Sequence, residues 1–291
     1  MSTWFDEPIA RSDLTLCLLA LPIAVPVLLL CALAALAALM PAPARAQIAD
    51  KEPVDYVDPM IGTLFGGFSF PGPAAPFGMV QLSPDTEGEF AYTGYQYGDT
   101  HIRGFSHHHI QSMGVHSNGD LPFMPSVGPV TTTDPRSWMS PFDHASEEAS
   151  AGYYRVLLER FGILAELTAG DRVGMHRYTF PPSPQSNVIL DVGHSAAGWH
   201  PYAPETVPAS LEIVGDDTVV GSSTTQGYKI NFAARFDRPF TGFGAWDSTS
   251  STSLPAAPTP DQRQATGNGA GGYVSFDTTS DRDVRVKVGI S

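Results

Sequence analysis

The chain has 291 residues, with 28 glycines, 26 prolines, 16% charged residues and a formal net charge of −14. So many helix breakers point to a turn-rich β globule, and the acidic balance excludes phosphate-backbone binding, which needs a basic footprint. The length permits one large all-β domain or two ordinary ones.

Residues 1–46 differ from the rest. Leu14 to Met40 is almost uninterruptedly apolar, and Ala44-Arg45-Ala46 before Gln47 has the small-x-small form of a signal-peptide cleavage site. This predicts an export signal over 1–46 and a mature domain over 47–291. The apolar run is also long enough to span a bilayer. The leading stretch carries Asp6, Glu7 and Asp13 against Arg11, so a retained membrane anchor and an upstream mis-start of translation stay open. Both cysteines, Cys17 and Cys31, lie in this leader, and the mature domain is expected to stand without disulfides.

In chain order, VDPMIGT leads into LFGGFSFPGPAAPFGMVQLSPDT. Its glycines and prolines forbid a long helix, and Gly67 and Gly72 allow close approach of backbone. A structured loop is expected there, then a short strand near Met79 to Leu82. Tyr92 to Tyr97 is aromatic and alternating, SNGDLPFMPSVGPV reads as a turn into a strand, and Thr131 to Ser150 reads as a polar loop. From Gly152 strand signals recur at short spacing: YYRVLL, ILAELTA, RVGMHRYTF, NVILDVG, SLEIV, TVVGSS, YKINFAARF and FTGFGAW, with a tight hairpin at Val214 to Thr218. Ser248 to Gly272 is poor in core formers and predicts an exposed excursion, while VRVKVGI alternates as a half-buried strand that ends one residue before the chain. An ending in mid-strand predicts a piece of something longer. Short repeated strands indicate a β-sandwich or barrel rather than βαβ units.

Chemistry concentrates in Arg103 to Asp120, which holds four of the nine histidines. If Arg103 to His109 is extended, Phe105, His107 and His109 share one face and Ser106 and His108 the other. Three readings stay open. One is a zinc site from His107, His109, His116 and Asp120, although the spacing matches no standard signature. A second is a structural strand and loop with its imidazoles hydrogen-bonded to backbone. The third is a polar-ligand site for hydroxyl groups. Phe65, Phe68, Phe70, Tyr92, Tyr95, Tyr97, Trp138, Trp199 and Trp246 supply the platforms a sugar needs, though most such rings are core residues. Glycoside hydrolysis needs paired carboxylates; Asp85, Glu87, Glu89, Asp99 and Asp120 qualify by type, but no spacing selects two. No nucleotide loop, nucleophile elbow or catalytic cysteine stands out.

VDPMIGT, FSFPGPAAPFGMVQLSPDT, GYQYGDTHIRGFSHHHI, NGDLPFMPSVGPV and GYYRVLL…GILAELTAGDRVGMHRYTFP together resemble the N-terminal part of glycoside hydrolase family 92, the exo-acting α-mannosidases. The likeness is close over Val54 to Pro181 and looser to VKVGIS. It implies a two-sheet antiparallel β-sandwich, galactose-mutarotase-like, packed on a helical (α/α)6 barrel, and hydrolysis of α-mannosidic bonds in mannose-containing glycans with inversion and calcium. It also implies that the acid and base carboxylates lie in the helical domain expected after VKVGIS, so none is assigned here, and that calcium is held mostly outside this chain. By motif, the substrate-binding residues are Gly66, Gly67, Phe68, His107, His109, Asn118 and Asp120. The sequence departs from the family at Phe68, where a histidine is usual, and at QSMGVHSNGD, which replaces a more glycine-rich, often cysteine-containing loop. A stand-alone carbohydrate-binding module without catalysis is the competing expectation.

Overall fold

The computed structural model describes residues 51–64, 68–88, 90–111, 118–195, 206–225, 227–247 and 257–291. The leader, Phe65, Gly66, Gly67, Glu89, His116 and Trp199 lie outside them. The chain divides into Met1–Lys51 and Glu52–Ser291, and the fold below is that of the second unit. No described helix is long and apolar enough to cross a membrane.

Seventeen strands occur among the described residues. They begin with β1 (Ser83–Thr86), β2 (His101–Ser106), β3 (Phe123–Val127), β4 (Ser140–Pro141), β5 (Glu148–Ser150) and β6 (Tyr153–Leu158). Next come β7 (Ile163–Ala169), β8 (Val173–Thr179), β9 (Ser186–Leu190), β10 (Pro208–Val214), β11 (Thr218–Thr225) and β12 (Tyr228–Phe236). The last are β13 (Gly242–Trp246), β14 (Thr259–Pro260), β15 (Gln264–Asn268), β16 (Gly271–Phe276) and β17 (Asp283–Ile290). They form two antiparallel sheets, β1-β2-β3-β9-β16-β13-β14 with β4 on β2, and β15-β10-β11-β12-β17-β8-β7-β6-β5. The expected all-β, two-sheet sandwich is what the sequence folds into.

The nine-stranded sheet follows the alternation in the sequence. In β12 and β17 buried residues alternate with exposed or half-exposed ones, so Val284, Val286, Val288 and Ile290 face the core while Arg285 and Lys287 face water. The hairpin from Val214 to Thr218 turns through Gly215, whose φ of +65° is the left-handed conformation glycine tolerates best. The eight-stranded sheet instead buries both faces: β1 and β9 are buried at every position. One face packs on the other sheet through Phe123 against Phe232, with ring centroids 6.2 Å apart, and Phe105 against Tyr178 at the same separation. Residues from Phe68 to Gln96 fold back over β1, with Leu82 N–H donating to Pro73 O at 3.1 Å and Thr86 N–H to Gly94 O at 2.7 Å. Gly72 permits this approach, since a Cβ there would lie 1.9 Å from Leu82 O.

Several boundaries differ from expectation. The strand expected at Met79 to Leu82 begins at Ser83, because the preceding residues pair with Pro73, Asp171 and His107 through single hydrogen bonds rather than a ladder. Thr131 to Ser150 holds two 3-10 turns and strands β4 and β5, their polar side chains capping the turns. Residues 259–272 are not an excursion: β15 pairs with β10, and β16 lies inside the first sheet between β9 and β13. Small residues hid that strand. A Cβ on Gly271 would sit 2.3 Å from the Trp246 ring, so the glycine makes room for the buried indole. Of the aromatics, Phe70, Tyr95, Trp138 and Trp246 are core, while Phe68 and Tyr97 are exposed.

Candidate functional site

β2 ends at Ser106, but single pairings continue past it, with His107 N–H donating to Asp120 O at 3.0 Å. His107 and His109 are both buried and His108 is half-buried, in keeping with the alternation, and each ring has its own partners. His107 Nδ1 is 2.8 Å from Leu121 O, so it carries the proton, and its Nε2 accepts from His176 Nε2 at 2.8 Å. His176 Nδ1 in turn accepts from the Tyr178 hydroxyl at 2.7 Å. Both imidazoles are neutral: burial lowers His107 to about 4, and burial with the neighbouring His107 takes His176 well below its ordinary value. Burial raises Tyr178 well above its ordinary value. His109 sets Nδ1 2.7 Å from Gln81 O and Nε2 3.0 Å from Asp85 Oδ1, and the other Asp85 oxygen accepts from Ser106. His107 and His109 are both fully buried with every ring nitrogen engaged. Among the described residues no group of three His, Cys, Asp or Glu could hold a metal ion, and His116 lies outside them.

The middle histidine has a different setting. His108 pairs with Asp120, and Asp120 pairs with Ser195, as isolated antiparallel bridges beyond the ends of β2 and β9. Residues directly opposite in such bridges share a face, so the three side chains form a row across adjacent segments. Asn118 Nδ2 donates to Tyr228 Oη at 2.6 Å and lies 3.0 Å from His108 Nδ1, which is also 3.2 Å from Asp120 Oδ2. Tyr228 Oη donates to Asp120 Oδ2 at 2.7 Å. Burial, then the Asp120 carboxylate, raise the Tyr228 phenol. Three buried atoms of this cluster have no hydrogen-bond partner among the described residues: Asn118 Oδ1, Asp120 Oδ1 and Ser195 Oγ. The backbone is unusual too, with φ of 63° at Asn118, 68° at Gly119 and 59° at Leu121. Asparagine and glycine adopt this conformation readily, and leucine does not.

The structure thus brings Asn118 and Asp120 together, puts His107 and His109 behind them in the interior, and places Phe68 on the surface stacked on Tyr92 at 5.9 Å. Gly66 and Gly67 fall outside the described residues. Sequence reasoning missed His108, Ser195 and Tyr228. His108 was legible only as the opposite face of the strand, and Tyr228 lies 108 positions from its carboxylate partner. Of the candidate carboxylates, Asp120 keeps an unpartnered oxygen, Glu89 lies outside the described residues, and Asp85, Glu87 and Asp99 are each engaged. Glu87 accepts from His101 N–H at 2.8 Å, and Asp99 accepts from Thr86 Oγ1 and from Gly88 N–H at 2.9 Å. Burial raises Asp99 above its ordinary range. Around this region most of the large apolar side chains left exposed among the described residues fall between Val54 and Tyr97, including Ile61, Leu64, Phe68, Phe77 and Phe90.

Residues 56–291 match the glycosyl hydrolase family 92 N-terminal domain. A family 92 α-mannosidase of Bacteroides thetaiotaomicron, solved in complex with mannoimidazole, superposes with a TM-score of 0.70 at 30% identity, over 82% of this chain and 32% of that one. An inverting family 92 mannosidase of the same organism shares the fold, with a TM-score of 0.67 at 22% identity over 83% and 32% of the two chains. A protein of Arthroderma benhamiae described as an uncharacterized secreted glycosidase is 32% identical over 133 residues, 43% of this chain and 17% of that protein. The chain therefore spans 32% of the length of each of these solved relatives. With the match running from residue 56 to residue 291, the chain belongs to the glycosyl hydrolase family 92 N-terminal domain family.

Proposed function

We propose that this chain is the supporting sandwich of an exported, calcium-dependent, inverting exo-α-mannosidase, and that it forms one wall of the mannose pocket while a helical domain supplies the acid, the base and most calcium ligands. The carrying observation is the family match over 56–291, joined to an α-mannosidase relative at 30% identity that was solved in complex with mannoimidazole. The exposed apolar side chains between Val54 and Tyr97 support the same reading. Exposed apolar surface of this kind suits an interface, and in this reading it takes the helical domain. Gly66, Gly67, Phe68, Asn118 and Asp120 face sugar in this reading, and His107 and His109 hold the wall from behind. Export rests on the apolar leader at 1–46 and on the secreted relative.

The test is an assay of the purified chain on α-mannobiosides with calcium. The expected result is no turnover, with a chain that self-associates through its uncovered apolar face. Clear turnover by this polypeptide alone overturns the assignment of the chemistry to another domain. A monodisperse monomer in light scattering counts against the apolar face as an interface.

A further inference from the structure

We propose that His108, Asn118, Asp120, Ser195 and Tyr228 form a binding site for a pair of neighbouring hydroxyl groups on a pyranoside. The inference rests on the mannosidase-domain reading for the identity of the ligand as a sugar; the site itself is argued from its atoms. Asn118 Oδ1, Asp120 Oδ1 and Ser195 Oγ are buried without partners among the described residues. A buried polar atom left unmade is destabilising, so three in one cluster call for a ligand or ordered solvent.

The chemistry of the atoms selects that ligand. Two of the three unpartnered atoms are pure acceptors, and Ser195 Oγ can donate or accept. His108 Nδ1 is taken up by Asn118 at 3.0 Å and Asp120 at 3.2 Å, which leaves Nε2 to meet the ligand. Two adjacent hydroxyls donate to Asp120 Oδ1 and Asn118 Oδ1 and pair with Ser195 and His108 Nε2, each of which can donate or accept. The Asp120 carboxylate disfavours an anion. A divalent cation would use the same oxygens but wants six to eight of them, and only three stand unpartnered. Tyr228 is the clamp. Its hydroxyl accepts from Asn118 at 2.6 Å and donates to Asp120 at 2.7 Å, which fixes both acceptor groups and aims their free oxygens. The His108 side chain is 21% exposed, so the cluster opens to the surface along the imidazole.

The experiment follows the His108 ring proton by NMR in the full chain, with the resonance assigned from the His108→Gln variant, during titration with methyl α-mannopyranoside or with calcium chloride. The expected result is a saturable shift with the sugar, weakened about tenfold in Ser195→Ala and in Tyr228→Phe, with thermal unfolding not lowered in Ser195→Ala, which removes an unpartnered hydroxyl, and lowered in Tyr228→Phe, which removes two buried hydrogen bonds. Sugar binding of equal affinity in both variants overturns this site and leaves the domain-level reading standing. A shift with calcium and none with sugar overturns the hydroxyl assignment in favour of a cation. No shift with either overturns the site and assigns the unpartnered atoms to buried water, while the turnover assay judges the domain-level reading separately.

Discussion

The two sheets of this sandwich are built from different kinds of sequence. The nine-stranded sheet shows one face to water, and its strands β8, β10, β12 and β17 alternate buried with exposed or half-exposed side chains. The eight-stranded sheet is covered on both faces, and among its buried residues are Ser83, Asp85, Ser106, Ser126, Asn187 and Ser275. Burying polar groups is tolerated only where each finds a partner. Most do: Ser275 donates to Asn187 at 2.7 Å, and Asn187 donates to Gly128 O at 2.7 Å. Ser83 Oγ is unpaired on its own, whereas Asn118, Asp120 and Ser195 leave three such atoms in one cluster, and the candidate site lies there. A sheet wrapped on both sides can carry polar chemistry at its end, whereas a sheet facing water spends its polar residues on solubility.

The largest effect that can break this contrast is a cavity between the sheets. Phe123→Ala, at a fully buried ring packed on Phe232 and His176, is expected to cost about 3–5 kcal/mol in denaturant unfolding. Leu157→Ala, at a side chain 37% exposed on the outer sheet, is expected to cost well under half of that. Equal costs would mean that the two sheets are not packed differently.

The second effect sharpens the contrast through pH. His107 and His176 are held neutral, with His107 lowered to about 4 from an ordinary value of 6.5. Above pH 6.5 neither the folded nor the unfolded chain protonates them, so stability is undiminished. As pH falls from 6.5 towards 4 the unfolded chain takes up protons that the folded one refuses, and stability drops by up to about 1.4 kcal/mol per pH unit for each group. Denaturant midpoints measured from pH 7 to 4 are expected to fall, and to fall less steeply in His176→Phe. A slope unchanged by that substitution would remove these histidines as the cause.

The smallest effect belongs to the outer face. Arg155 and Glu148 pair at 2.9 Å with side chains 45% and 54% exposed, and Glu148→Gln is expected to change stability by less than about 1 kcal/mol, less still at high salt. A larger change would assign that face a structural role that surface ion pairs rarely have.

Much of the fold was legible because exposure imposes a period of two on any strand with one wet face; β6, β7, β12 and β17 follow from it directly. The strands that escaped notice lie in both sheets: β1, β4, β14 and β16 in the doubly covered one, where glycines such as Gly271 stand in for apolar side chains, and the short edge strands β5 and β15 in the other. The site was legible in part. Motif resemblance singled out Asn118 and Asp120 together with His107 and His109 and passed over His108, the one of the three adjacent imidazoles that is not fully buried.

By itself the sequence determined the class of fold and the family, since these depend on pattern and on ordered motifs along the chain. Only the tertiary structure decided which imidazoles are sealed in the core and which one meets Asp120, Ser195 and Tyr228. That decision rests on hydrogen bonds between residues 108 and more positions apart, which no local pattern encodes.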